Sequence, residues 1–180
     1  MKKARKAIKI LTIIIGNLIG FVFLNDKIIM KNNKPVWTFE STTILSIADI
    51  ETILFEITDG EYQSDSLPFI LRGKSSCKIV KDGSRFIILF EDGHKEYVII
   101  DKANHKLTTQ GEWWYQGIYS LHLQGDKKLI RLNVYNVAEK QRWAAALMIL
   151  PKKYKHKGNF IKFVADLESE FTKRQKKGSR

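Results

Sequence analysis

Apolar and polar positions change their spacing along this chain, and each change predicts a different kind of element. Ile10 to Leu24 reads ILTIIIGNLIGFVFL, uncharged, with Thr12 and Asn17 as its polar interruptions. Such a run predicts an apolar helix. Fifteen helical residues reach about 22 Å against a hydrocarbon core of roughly 30 Å; counting from Ile8, with Lys9 snorkelling, brings the segment close to spanning length. Asn25 to Pro35 (NDKIIMKNNKP) is polar and reads as a linker. From Val36 the stretch VWTFESTTIL, rich in β-branched and aromatic residues, predicts a strand. Ser46 then stands as a helix cap with Asp49 as its acidic partner. Ile47, Ile50, Ile53, Leu54 and Ile57 follow at helical spacing, so 47–57 is expected to be a short amphipathic helix. Asp59 to Ser76, with Gly60, Pro68 and Gly73, reads as an irregular helical turn plus loop.

The next sixty residues, roughly, repeat a simpler rhythm. Asp82-Gly83 and Asp92-Gly93 are hairpin dipeptides, expected to form type I′ turns with positive φ at both central positions. Around them lie CKIVK, SRFIILFE and HKEYVIID. Polar turns at Lys102–His105 and Gln124–Lys127 lead into KLTTQGEWWYQGIYSLHL and KLIRLNVYNV. This spacing predicts an antiparallel meander, with a bulge or bend at Gly111 and Gly117. After Ala138 the period becomes helical: Trp143, Leu147 and Leu150 form one stripe, which Pro151 ends. From Asn159, read as a cap, Phe160, Phe163, Val164, Leu167 and Phe171 recur at three- and four-residue spacing and predict a terminal helix of 15 residues or more, by the usual periodicity argument.

The fold class expected is therefore α+β: a curved antiparallel sheet of about six to seven strands wrapped around a long carboxy-terminal helix, preceded by the amino-terminal apolar helix. Residues 36–71, with ILFEITDGE and Pro68-Phe69, resemble the opening of the START-like, or SRPBCC, superfamily. GEWWYQGIYSL and LIRLNVYNVAEKQRWAAALMIL within 111–150 look like its last strands and the start of its helix. The resemblance covers about 36–172 and rests on layout. It implies a helix-grip fold with a hydrophobic cavity between sheet and helix, and leaves the chemistry open, since polyketide cyclases and lipid-transfer domains share that frame. The chain then divides into a signal-anchor or transmembrane segment at 1–24, a linker at 25–35, a START-like domain at 36–172 and a basic tail at 173–180.

Charge refines the picture. The formal charge of +12 on 180 residues suggests a nucleic-acid binder until its distribution is read. Lys2, Lys3, Arg5, Lys6 and Lys9 crowd one end, and Lys173, Arg174, Lys176, Lys177 and Arg180 the other. Without those ten, 21 basic residues face 19 acidic ones. Basicity confined to two ends suits a membrane surface better than a nucleic-acid groove, so no nucleic-acid partner is expected. Phe21 to Asp26 lacks the small residues of a signal-peptidase site, favouring an uncleaved anchor; a cleaved signal and a helix packed on its own domain are the alternatives. Positive residues ahead of the segment place the amino terminus in the cytoplasm and the domain outside, as a single-pass membrane protein. The tail TKRQKKGSR is either a contact for anionic lipid headgroups or a solvated helix end.

Candidate chemistry is sparse. His94, His105, His122 and His156 have no metal-ligand spacing and read as surface or structural residues. There is no G-x-S-x-G elbow, P-loop or G-x-G-x-x-G, and Cys77 reads as a small buried hydrophobe. No catalytic residue, metal or cofactor is expected. Glu40 and Glu112 invite a general-acid role but read more simply as exposed carboxylates. Trp113, Tyr115 and Tyr119 share one strand face, and Arg131, Asn133 and Tyr135 share another; these six are the expected ligand-binding residues. Core packing for the first three and a solvated sheet face for the others are the competing readings. The function expected is a membrane-tethered module binding a hydrophobic small molecule or lipid. The membrane contact would run through residues 8–24 and the basic tail. A cyclase- or dehydratase-type enzyme using the same cavity, and an interaction domain with a collapsed cavity, are the alternatives.

Overall fold

A computed structural model describes residues 34–112, 115–124, 127–138 and 152–178, together with Thr12, Ile13, Gly16, Asn17 and Gly20. The chain runs β1 (Trp37–Thr43), α1 (Ile47–Leu54), β2 (Gly60–Tyr62), a 3₁₀ turn (Phe69–Leu71), β3 (Cys77–Asp82), β4 (Arg85–Phe90), β5 (Lys95–Asp101), β6 (Lys106–Gly111), β7 (Tyr115–Gln124), β8 (Lys127–Asn136) and α2 (Lys153–Gly178). All strands belong to one curved antiparallel sheet of eight, ordered β1-β8-β7-β6-β5-β4-β3-β2.

Local chemistry explains most boundaries. Ser46 and Asp49 form the capping box expected of them, each side chain bonding the other's backbone N–H, and Phe55 ends α1 two residues before Ile57. The β3–β4 hairpin closes on Gly83-Ser84 with Asp82 opposite Arg85. Gly83 has φ +60° whereas Ser84 stays negative, so the loop follows the type II′ rule rather than I′. The β4–β5 loop is the three-residue kind: Gly93 N–H donates to Phe90 C=O, Phe90 N–H to His94 C=O, and Gly93 takes the left-handed position at φ +83°.

The strand count exceeds the six or seven expected. β2 is three residues with no periodicity of its own, made a strand by pairing Tyr62 with Cys77. The long stretch read across Gly111 is two strands, β6 and β7, paired in unbroken register from Lys106↔Ser120 to Gln110↔Gln116. No bulge therefore interrupts Gly117. The glycine serves another purpose: a Cβ there would collide with the Tyr115 hydroxyl, which lies over it. The terminal helix also begins earlier than Asn159 and continues through the basic residues to Gly178.

One sheet face and the buried stripe of α2 make the core. Ile79, Ile88, Val98, Leu107, Ile130, Leu132 and Val134 project towards Phe160, Val164 and Leu167, and α1 closes one side with Ile50, Ile53 and Leu54. The end of β1 is pinned to the helix, because Thr43 Oγ1 and the Ile44 N–H both donate to Glu168 Oε1, at 2.8 and 3.2 Å.

The expected single-pass membrane location is corrected: among the described residues no helix is long and apolar enough to cross a membrane. The run itself holds a physical reason, since fifteen helical residues fall short of the hydrocarbon thickness unless the charged Lys9 is drawn in. Apart from five helical positions, the expected apolar helix of 1–24 lies outside the described residues, as do most of the linker and the Trp143 stripe.

Candidate functional site

In the middle of the molecule the space between sheet and helix is filled by rings. Phe39 stacks on Phe160 at 6.3 Å, and Phe163 lies between Tyr119 (5.0 Å) and Phe69 (5.4 Å). Towards the first turns of α2 that packing gives way to a cleft of about 710 Å³, within the usual range for small-molecule sites.

Its first wall comes from the β4–β5 hairpin and the loop before β3. Alternation along β5 puts Glu96 on the same inward face as Val98 and Ile100, so a carboxylate points into the cleft with 17% of its side chain exposed. Lys74 grips both of its oxygens and also sits 5.4 Å from the Phe90 ring centre. His94 stacks on the same ring at 5.9 Å and holds Nε2 3.6 Å from Glu96 Oε1. The opposite wall is aromatic: Tyr115 and His156 stack at 6.3 Å with their planes 12° apart, and Trp37 packs 5.4 Å behind His156. Lys152, Lys155 and Asn159 line the helix side of the opening, and Gly111 and Glu112 the sheet side. Nothing lies within 4 Å of where a Gly111 Cβ would sit, so this glycine faces open space.

The aromatic wall is held from beneath. Hydrogen bonds join the Tyr115 hydroxyl to Thr109 and to Tyr119. Burial is the main reason both phenols are pushed above their ordinary pKa, which keeps them protonated at neutral pH. His156 moves the other way: burial first, then Lys152 and Lys155, hold it below the usual histidine value and therefore neutral at pH 7. At pH 7 the two phenols and the imidazole are therefore uncharged.

The expected site residues separate. Tyr115 and Tyr119 face the helix, opposite Asn136 and Leu132 of β8. Trp113 lies outside the described residues. Arg131, Asn133 and Tyr135 face away, alternating with buried Ile130, Leu132 and Val134. Arg131 donates from Nε to Glu40 Oε1 at 2.6 Å, and Thr38 Oγ1 donates to Asn133 Oδ1 at 2.8 Å, both across the outer face. A single pocket lined by both triads is thereby corrected. The register Trp37↔Val134 and Phe39↔Leu132 decides the parity, because two large rings on β1 share the inward face with those β8 residues.

Among the histidines, His94 and His156 come together at the cleft, which their sequence context did not signal. His105 instead pairs through Nδ1 with Glu51 Oε1 at 2.6 Å, from a turn where it holds φ +52°. Glu112 sits at the exposed rim, 4.0 Å from Lys95 Nζ. Cys77 is buried, and that burial raises its thiol pKa. Among the described residues no group of three His, Cys, Asp or Glu side chains is placed to hold a metal ion.

A second groove, of about 590 Å³, opens near the other end of α2. Four of its charges are committed to one another: Arg72 and Arg174 both bond Glu170, at 2.8 and 2.9 Å, and Arg174 reaches Glu56 at 2.7 Å.

An antiparallel sheet gripping one long terminal helix is a specific arrangement. The fold is a helix grip. That is the architecture which the resemblance to the START-like, or SRPBCC, superfamily implied. No protein-family model matches the chain, and no curated protein matches it in sequence. Among solved structures, norcoclaurine synthase from Thalictrum flavum is similar at 16% identity and a TM-score of 0.45, over 74% of this chain and 86% of that one. A likeness this distant carries no chemistry across to the helix grip described here.

Proposed function

We propose that this helix-grip domain is a binding module for a hydrophobic small molecule or lipid, taken into the cleft between the β4–β5 hairpin and the first turns of α2. The observation that carries the reading is the composition of the two walls. Tyr115 and His156, backed by the buried Trp37, offer a stacked ring surface, while Lys74, His94 and Glu96 offer polar groups opposite it. A ring surface beside polar groups that can orient a head suits a ligand with an apolar body. Of the residues expected from sequence, Tyr115 and Tyr119 belong to this reading, Tyr115 as wall and Tyr119 as the group that fixes it.

A cyclase- or dehydratase-type enzyme is the second reading. Its support is that a carboxylate, an imidazole and a phenol, those of Glu96, His94 and Tyr115, line one cleft.

Gly111 supplies the test. Gly111→Trp extends a side chain from the sheet into open space and should abolish uptake of a neutral fluorescent probe such as N-phenyl-1-naphthylamine, leaving the thermal melt within a few degrees of wild type. Undiminished probe binding by a folded Gly111→Trp protein would contradict the assignment of the cleft. The second reading requires turnover of a substrate that Glu96→Gln eliminates without loss of binding.

A further inference from the structure

We infer that the cleft selects amphipathic ligands with an anionic head, and that His156 makes this selection stronger as the medium becomes more acidic. The inference rests on the binding reading above and names the ligand class of that same site.

The charge pattern of the walls carries it. Among the described residues two carboxylates line the cleft, and both are already answered: Glu96 is held by Lys74, and Glu112 has Lys95 beside it at the rim. Lys152 and Lys155, on the helix side, have no carboxylate partner among the described residues. A ligand whose apolar body lies along Tyr115 therefore meets excess positive charge at its head. A neutral head gains little from that excess, and a cationic one is repelled.

The histidines stand at different points of this field. His156 faces Lys155 of its own helix and Lys152 just before it, Tyr115 of β7 and Trp37 of β1, with no carboxylate among them. His94 faces Glu96 and Lys74 across the Phe90 ring. Imidazole is the side chain whose charge changes in the range from about pH 5 to about pH 8, and each proton taken up adds one positive charge to the cleft. Without a ligand, protonating His156 is opposed by its two lysines and its burial. A bound anion offsets that opposition, so binding and proton uptake favour each other. The sign follows: affinity for a fixed anion rises as pH falls, and affinity for a neutral analogue does not.

Two probes with one body separate the cases. N-phenyl-1-naphthylamine is neutral, and 1-anilinonaphthalene-8-sulfonate adds a sulfonate that stays charged throughout the titration. With the full chain, the sulfonate's affinity should rise about fivefold or more from about pH 8 to about pH 5.5, and weaken with added salt. The neutral probe should change less than about twofold under the same conditions. His156→Phe, which keeps a ring against Trp37 and Tyr115, should remove most of the rise. Probes sharing one pH and salt profile, or a folded His156→Phe variant that keeps the rise, would overturn the inference while leaving the binding reading intact. Binding of neither probe would overturn the binding reading, and the inference with it.

Discussion

The two ends of α2 are built from similar residues and do different things with them. Near Glu170, the cations Arg72 and Arg174 are spent on Glu170 and Glu56, and the ion pairs tie the helix to the segment following α1. Near His156, Lys152 and Lys155 stand without such partners among the described residues, beside a wall of stacked rings. Net charge does not distinguish a closed structural seam from a receptive cleft. What distinguishes them is that Arg72, Arg174, Glu170 and Glu56 answer one another within the fold. Between the two ends, Phe160, Val164 and Leu167 bury the helix, so either end can vary without the fold being lost.

The largest test acts on that middle. Leu167 is fully buried, and Leu167→Ala should lower stability by about 2–5 kcal/mol in denaturant melts. Lys162→Ala, on the exposed side, should stay within about 0.5 kcal/mol. Equal effects from the two would show that the helix grips the sheet by another face.

Gly117→Ala comes next. The added methyl meets the Tyr115 hydroxyl and should cost about 1–3 kcal/mol. Because Tyr115 must move, probe uptake should fall as well. A variant with wild-type stability and uptake would mean that the ring wall is free to shift.

At the closed end, the Arg72 and Arg174 guanidiniums hold the Glu170 carboxyl down at about 2. A carboxylate depressed on folding contributes stability above its ordinary pKa, and that contribution is lost as pH falls from about 4.5 towards about 2. Glu170→Gln should cost about 1–2 kcal/mol at neutral pH, reduced by solvent screening of the half-exposed Arg72, and should flatten the acid limb of the stability curve across that window. It should leave probe uptake unchanged, which sharpens the contrast between the ends.

The smallest effect expected is on the outer sheet face. Arg131 and Glu40 form an exposed pair, so Arg131→Met should change stability by no more than about 1 kcal/mol and uptake not at all. Lost uptake would return Arg131 to the ligand site.

Sequence patterns exposed the frame more readily than the cleft, for physical reasons visible residue by residue. Ser46 with Asp49, and Gly83 and Gly93 in their turns, encode local geometry within a few positions, so α1 and two hairpins were legible. The apolar spacing of Phe160, Val164 and Leu167 likewise marked the grip. β2 was not legible, because three residues acquire strand geometry only from β3. The parity of Arg131, Asn133 and Tyr135 was undetermined until β1 fixed which face of β8 turned inward. The cleft was the least legible. Lys74, His94, Glu96, Tyr115 and His156 come from separate segments, and each looks locally like an ordinary surface or packing residue. The one local hint was aromatic Tyr115 with Gly117 two positions on, a spacing that lets a ring fold back over a glycine.

The contrast between the two ends can be read in one experiment. N-phenyl-1-naphthylamine titrated into isotopically labelled protein should shift backbone amide resonances at His94–Glu96, Gly111–Glu112 and Lys155–Asn159, and leave those around Glu56, Arg72 and Arg174 in place. Shifts centred on the Glu170 groove, or none at either end, would contradict the account of a receptive cleft at one end of the helix and a satisfied seam at the other.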